Sequence, residues 1–421
     1  MGMNVAEKIL ARASGLRDVA PRQIIEARVD VAMFHDLTGP LTVKSFREMG
    51  GDKVWDPNRV VVVFDHLIPA DTLRTAGLHK SLRQFVQEQN ITHFYDVGRG
   101  GVCHQVTVEK GYARPGELII GADSHTCTYG AVGAFASGVG ATDMAAVLVT
   151  GRTWLKVPET VRLQLEGRLD PLVSAKDVVL YIIGQLRADG ATYKAVLFTG
   201  PVISRMSVDG RMTICNMAVE MGAKAGIVEP DEVTLQYLKG RTNAPFTPLL
   251  SDPDADYTEE YVYDLLSLEP QVACPHSVEN VKPVSEIGDV PIDQALIGSC
   301  TNGRLEDLRA AALVMKGRKV KENVRALVIP ASQEVYMAAL REGLLETFTE
   351  AGALVCNANC GPCLGGHMGI LADGEVCISS TNRNFVGRMG STKAYVYLAS
   401  PATVAASAIT GKITDPRLVK G

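Results

Sequence analysis

Short apolar runs rich in β-branched residues alternate with helix-period stretches along this 421-residue chain. The runs at 60–64, 92–97, 118–120, 295–297, 325–329, 353–356 and 376–379 predict strands. Strands of that kind separated by helical pattern predict an α/β fold with largely parallel sheets. Between 241 and 292 the texture changes to scattered prolines and acidic residues, and a second shift follows Val157-Pro158. Exposed, proline-rich breaks of this sort mark domain junctions. They predict three units, 1–158, 159–280 and 281–421. No internal repeat of fixed period is present.

Composition narrows the function. Hydrophobic residues make up 46% and charged residues 21% of the chain, with a formal net charge of -5, the balance of a globular protein without a basic footprint for nucleic acid. The longest apolar runs fall far short of the roughly 20 residues that cross a bilayer, and the first fifteen residues lack a secretory apolar core. The expectation is a cytoplasmic protein with no membrane and no nucleic-acid partner. Nine cysteines, an odd number without dense spacing, predict reduced thiols, some of them available to a metal.

Four strands run directly into polar clusters: Asp65-His66, Asp123-Ser124-His125, Ser299-Cys300-Thr301-Asn302 and Thr381-Asn382-Arg383. A single Asp or His after a strand is ordinarily a helix cap or turn residue. Four clusters at carboxyl ends, where open α/β sheets bind ligands, predict one shared site. Asp-His pairs suit acid-base chemistry, because the carboxylate fixes the tautomer of the imidazole and raises its basicity. His104 and, beside Asp36, His35 are further candidates. Asn216 and Glu220 lie four apart, a spacing that puts an amide and a carboxylate on one helix face, where by spacing alone a solvated face with a local hydrogen bond is the better reading. Arg383 and Arg388 offer planar forks suited to substrate carboxylates.

Cys360-Gly361-Pro362-Cys363 is a two-residue-spaced pair, and Cys300 stands at the mouth of the predicted site. A lone CxxC fits a redox pair or half a zinc site equally well. Here Gly361, Gly365 and Gly366 permit close backbone approach, and a helix predicted at 305–316 starts just after Cys300, where its N-terminus favours a thiolate. Three thiolates on a cubane leave one iron open, a Lewis acid for a hydroxyl group. Cys103, Cys127, Cys215, Cys274, Cys356 and Cys377 lie in apolar surroundings and read as small core residues.

Taken together, FDHLIPA, GVCHQV, IGADSHTCTYGAVGAFASGVGATDMA, TICNMAVE, IGSCTNGRLEDLRAA, NCGPCLGGHMG, SSTNRNFVGRMG and YLASPATVAASAITG resemble the aconitase superfamily, within it the large subunits of the isopropylmalate- and homoaconitase-type enzymes. The resemblance covers nearly the whole chain. It implies three aconitase-like α/β domains around a central iron-sulfur site, with Cys300, Cys360 and Cys363 ligating a 4Fe-4S cluster. It further implies the pairs Asp123 with His104 and Glu220 with His125, and an Asp65-His66 pair that protonates a departing hydroxyl. His35, Ser124, Asn216, Asn382, Arg383 and Arg388 would contact or orient a hydroxy-di- or tricarboxylate. The swivelling fourth domain of single-chain aconitases has no counterpart in these 421 residues. The resemblance therefore implies a separate small subunit, in a heterodimer or heterotetramer, that brings a serine base. Isopropylmalate leads as substrate, with homocitrate and citramalate- or dimethylmalate-type acids as alternatives.

Two other functions are poorer fits. GVGATD at Gly138 misses the dinucleotide fingerprint, because Asp143 stands where the third glycine belongs and no clear strand precedes it. A zinc- or RNA-binding role is disfavoured on the RNA side by the net charge, while zinc without sulfide and iron with sulfide are told apart by metal analysis.

Overall fold

The computed structural model describes residues 2–419; Met1 and the two terminal positions of the third predicted unit, Lys420 and Gly421, lie outside the described residues. The expected α/β architecture forms. One five-stranded sheet has the order His93–Tyr95, Val60–Val63, Val31–His35, Leu118–Gly121, Phe135–Gly138, and every neighbouring pair is parallel. A four-stranded sheet, Ala225–Val228, Ala195–Thr199, Thr160–Glu166, Glu259–Asp264, is also parallel throughout. The third sheet has seven strands. Tyr395–Ala399, Val376–Ser379, Gln294–Ile297, Arg325–Val328 and Leu354–Val355 run parallel, while Gln271–Ala273 and Val281–Pro283 add an antiparallel edge. Ile24–Arg28 and Arg152–Lys156 form a separate antiparallel ribbon.

All seven strands expected from the apolar runs are present: four are shorter by one to three residues, those at 118–120 and 295–297 are longer by one, and 376–379 keeps its bounds. The period of two decides how they pack, because successive side chains leave opposite faces. In the first sheet Met33, Val61, Val63 and Ile119 enter a core shared with Leu163, Val196 and Phe198 of the second sheet and Leu296, Leu327 and Leu398 of the third. Ala32, Phe34, Val60, Val62 and Ile120 enter a second core with Phe46 and Phe85 from the helices Gly39–Glu48 and Leu73–Glu88. The shared core is what brings carboxyl ends of different sheets to one place. No helix among the described residues is long and apolar enough to cross a membrane.

Glu117, which opens the strand Leu118–Gly121, is buried; its Oε1 accepts from Arg114 Nε at 2.8 Å and its Oε2 has no partner. Burial pushes its carboxyl up to about 7 against the pull of Arg114. A folded-state value above the unfolded value of about 4.3 means that the folded chain binds the extra proton. The associated stability is complete below the unfolded value and is lost as pH rises through about 7. Glu117→Gln is therefore expected to gain melting temperature over the parent at pH 8 and to show a smaller gain at pH 5. Thermal melts at both values check this; an equal difference at the two pH values contradicts it.

Candidate active site

The polar clusters at the four strand ends meet in a cavity of about 120 Å³ lined by His66, His104, Asp123, Ser124, His125, Cys300, Cys360, Cys363, Asn382, Arg383 and Arg388, together with Leu37, Val102 and Leu364. The turn after Val60–Val63 is tied down by Asp36. Its two oxygens accept the N–H groups of Asp65, His66 and Leu67 at 2.7 to 2.9 Å. Asp65, with no exposed surface, then accepts from His66 Nδ1 at 2.7 Å and from the Cys103 N–H at 2.7 Å. The second bond joins this turn to the helix Cys103–Glu109, which carries His104.

Burial alone would lower the basicity of His66, but the carboxylates of Asp65, Asp36 and Asp123 outweigh it and push the imidazole up to about 9. His66 is thus an imidazolium at neutral pH, a proton donor at the cavity wall. His104 takes the opposite course. Burial keeps its proton affinity low in spite of a 2.8 Å bond from Nε2 to Asp123, while Nδ1 meets the Tyr129 hydroxyl at 3.1 Å. Asp123 resists the effect of burial and stays well below the usual carboxylate range, held by His104, His125 and His35. His125 Nε2 lies 2.8 Å from Glu220, which also accepts from Arg383 Nε at 2.8 Å. Burial works against the charge on both members of that pair. Asp123 and then Glu220 outweigh it at His125 and raise the imidazole, while His125 and Arg383 outweigh it at Glu220 and lower the carboxyl.

The sulfurs occupy the facing wall. Ser299 has φ of 75°, a left-handed conformation unfavourable to a side chain, and it turns the chain so that Cys300, in the short helix Ser299–Asn302, faces inward. The Cys300 sulfur accepts from the amides of Asn216 at 3.2 Å and Asn382 at 3.4 Å. The Cys360 N–H donates to the Asp65 carbonyl at 2.7 Å, so the CxxC turn is tied to the Asp-His turn. Gly365 has φ of 66°, and a Cβ there would come within 2.8 Å of the Arg388 carbonyl, so no other residue fits that close approach. A hydrogen bond from Cys360 carries Cys363 well below the ordinary thiol range against burial, with help from Arg388, whose Nη2 lies 3.6 Å from the sulfur. Burial and Cys363 push Cys300 up to about 12.

Three cysteines on one cavity, with amide and guanidinium donors aimed at the sulfurs, form the donor set of a soft, thiolate-bound centre. Arg388 Nε, buried without a partner, leaves a further donor there, so the residues fit a sulfur-bridged iron cluster. His35, Asp36, Asp65 and His66 also present one possible ligand atom each within 4.8 Å of one another. The oxygens of Asp36 and Asp65 are already filled by N–H donors, which makes that group a hydrogen-bonded knot under His66.

Three sequence expectations change in detail. Asn216 and Glu220 do not share a helix face, because the helix Val208–Asn216 ends at Asn216 and the chain tightens into a 3-10 turn, Met217–Met221. Asn216 lies behind Cys300, bonded also to Thr128 and Thr301, whereas Glu220 reaches His125. His35, 1% exposed, stacks on His66 at 3.8 Å and stands behind the wall. The helix Leu305–Met315 forms, yet amides of Asn216 and Asn382 meet the Cys300 sulfur. Sequence reasoning missed the apolar wall residues Leu37, Val102 and Leu364, and it gave Asp36 no role of its own although it had marked the pair it forms with His35.

Parallel strands whose carboxyl ends converge on thiols, imidazole-carboxylate pairs and arginines define a protein built around one polar, sulfur-lined site. The model of the aconitase family (aconitate hydratase) matches residues 7–411. The chain belongs to that family. It is similar to a 3-isopropylmalate dehydratase large subunit 1 of Methanopyrus kandleri, 58% identical over 99% of each chain. A protein of Methanothermobacter thermautotrophicus described as a probable 3-isopropylmalate dehydratase large subunit is also 58% identical, over the whole of both chains. A second protein of that organism, described as a probable methanogen homoaconitase large subunit, is 56% identical over 100% of this chain and 99% of its own.

Proposed function

We propose that this chain is the large subunit of a 3-isopropylmalate dehydratase, a hydro-lyase that converts 2-isopropylmalate to 3-isopropylmalate in leucine biosynthesis in the cytoplasm. The observation that carries the reading is the single cavity in which Cys300, Cys360 and Cys363 face His66, Arg383 and Arg388. The three cysteines would hold a 4Fe-4S cluster, which when bound supplies a Lewis acid for the substrate hydroxyl. The predicted unit 1–158 contributes the Asp-His pairs, 159–280 contributes Asn216 and Glu220, and 281–421 contributes the cysteines and arginines.

Arg388 and the free Nη atoms of Arg383 hold the substrate carboxylates, with Ser124 and Asn382 beside them. As the carbon-oxygen bond breaks, His66 gives its proton to the departing oxygen, which leaves as water. Asp65 keeps the imidazole aimed and stabilises its charged form. The proton on the neighbouring carbon goes to a base that the small subunit brings. Addition of water with the opposite regiochemistry returns both protons and completes the isomerisation. His104 with Asp123, and His125 with Glu220, keep the remaining polar atoms in place.

Leu37, Val102 and Leu364 at the wall favour a branched alkyl group over a third carboxylate, since burying a charge against apolar side chains is costly. That favours isopropylmalate over homocitrate. The homoaconitase reading retains the support of the relative at 56% identity. Anaerobic treatment with iron and sulfide is expected to load about four of each per chain and, once the small subunit is added, to give faster turnover of 2-isopropylmalate than of homocitrate. Zinc without sulfide, or full turnover by the chain alone, would overturn the reading. Faster turnover of homocitrate would select the alternative.

A further inference from the structure

Two cations lie fully buried behind the cavity, and neither belongs to its wall. Lys176, in the first turn of the helix Ala175–Leu186, has no exposed surface; its Nζ donates to the carbonyls of Ser380 at 2.8 Å and Thr381 at 2.5 Å. The next two residues are Asn382 and Arg383. Arg304 is equally buried and donates through Nη1 to the Thr301 carbonyl at 2.6 Å, through Nη2 to the Cys300 carbonyl, and through Nε to Gln105 at 3.1 Å. The two loops are also bonded to each other, with the Gly298 N–H donating to Ser380 Oγ at 2.9 Å.

We infer that Lys176 and Arg304 are positioning residues, gripping from behind the backbone that presents Asn382 and Arg383 on one side and Cys300 on the other. A lysine in a core is costly, and a methionine of similar reach would fill the same space without a charge to bury. What the lysine adds is a pair of carbonyl contacts and a positive charge. The charged and titratable groups that act on it are Asp307, Asp177, Cys363 and Cys300. Asp177 is held by the N–H groups of Ser174 and Gln271 at 2.8 and 2.9 Å, and Asp307 by the N–H of Arg304 and the side chain of Asn302. With both carboxylates fixed in this way, the ammonium of Lys176 is left to the two carbonyls of residues 380 and 381.

The inference rests on the cysteines being cluster ligands, and the test separates the two. Wild type, Lys176→Met, Lys176→Arg and Arg304→Lys are purified anaerobically, and melting of each is followed by circular dichroism before iron is added. Iron and sulfide uptake is then measured, together with KM and kcat in the presence of the small subunit. Lys176→Met, which leaves two buried carbonyls without a donor, is expected to melt lower than wild type but to stay folded, to bind iron about tenfold more weakly and to raise KM more than it lowers kcat. Lys176→Arg, which keeps N–H donors within reach of the two carbonyls, should bring iron uptake and KM part of the way back to wild type. Should Lys176→Met fail to fold, Arg304→Lys gives the same reading at the other loop, with uptake nearer wild type and a displaced Cys300. Iron uptake and KM equal to wild type in the folded variants overturns the inference. A wild type that takes up no iron overturns the proposed function instead.

Discussion

Replacing Cys363 with alanine is expected to leave a folded chain that holds no complete cluster and turns over at least about a thousandfold more slowly in the presence of the small subunit. A Lewis acid at a departing oxygen contributes several kcal/mol to the barrier, and each 1.36 kcal/mol is about tenfold in rate. Cys363 is buried, but the substitution removes one sulfur, so melting should move by no more than a buried small-residue change of about 1 kcal/mol. Cys377→Ala is the matching control. Cys377 is just as buried, in the strand Val376–Ser379, with its sulfur near Gln294 and no part in the cavity. Iron and sulfide analysis of the two variants side by side decides the matter. Equal loading in both would remove Cys363 from the ligand set, and with it the proposed centre.

His66→Asn has the second largest expected effect, a fall in kcat of about 10² to 10⁴, the span of general acid-base contributions. Iron content should stay at the wild-type level, because His66 is held by its bond to Asp65 and its stack on His35 and makes no hydrogen bond to the three sulfurs. The same residue sets a pH dependence. With its imidazole pushed up to about 9, the acid form persists through neutrality, so kcat should hold up to that region and decline above it. Asp65→Asn removes the foremost carboxylate that opposes burial, and the alkaline decline should then begin at lower pH. An unchanged pH profile in Asp65→Asn would separate His66 from the proton delivered to the departing oxygen.

Much of the site was legible from the strand ends. Asp65-His66, Asp123-Ser124-His125, Cys300 and Asn382-Arg383 are local statements, each a polar cluster after an apolar run, and a parallel sheet sends such clusters to one edge. Residues that act across sheets were not legible in this way. Lys176 follows an ordinary capping sequence, and nothing near it in the chain reveals that its ammonium ends on carbonyls of residues 380 and 381. Leu37 and Val102 carry no mark of a site, because an apolar side chain at a wall and one in a core look alike in sequence. The Asn216 to Glu220 spacing misled for a related reason. Period alone cannot reveal where a helix gives way to a 3-10 turn.

The order of apolar runs, the glycines that permit left-handed turns and the thiol and imidazole residues at strand ends are properties of the chain itself, and they determined the fold class, the family resemblance and the chemical inventory. Only the tertiary structure decided which groups face one another. His66 gains its proton affinity from Asp36, Asp65 and Asp123 together, and Cys300 has its sulfur met by amides 84 and 82 residues away along the chain. The physical reason is range. Backbone preference and side-chain period act over a few residues, whereas burial, ion pairing and hydrogen bonds to a sulfur depend on distances that exist only once three sheets share a core.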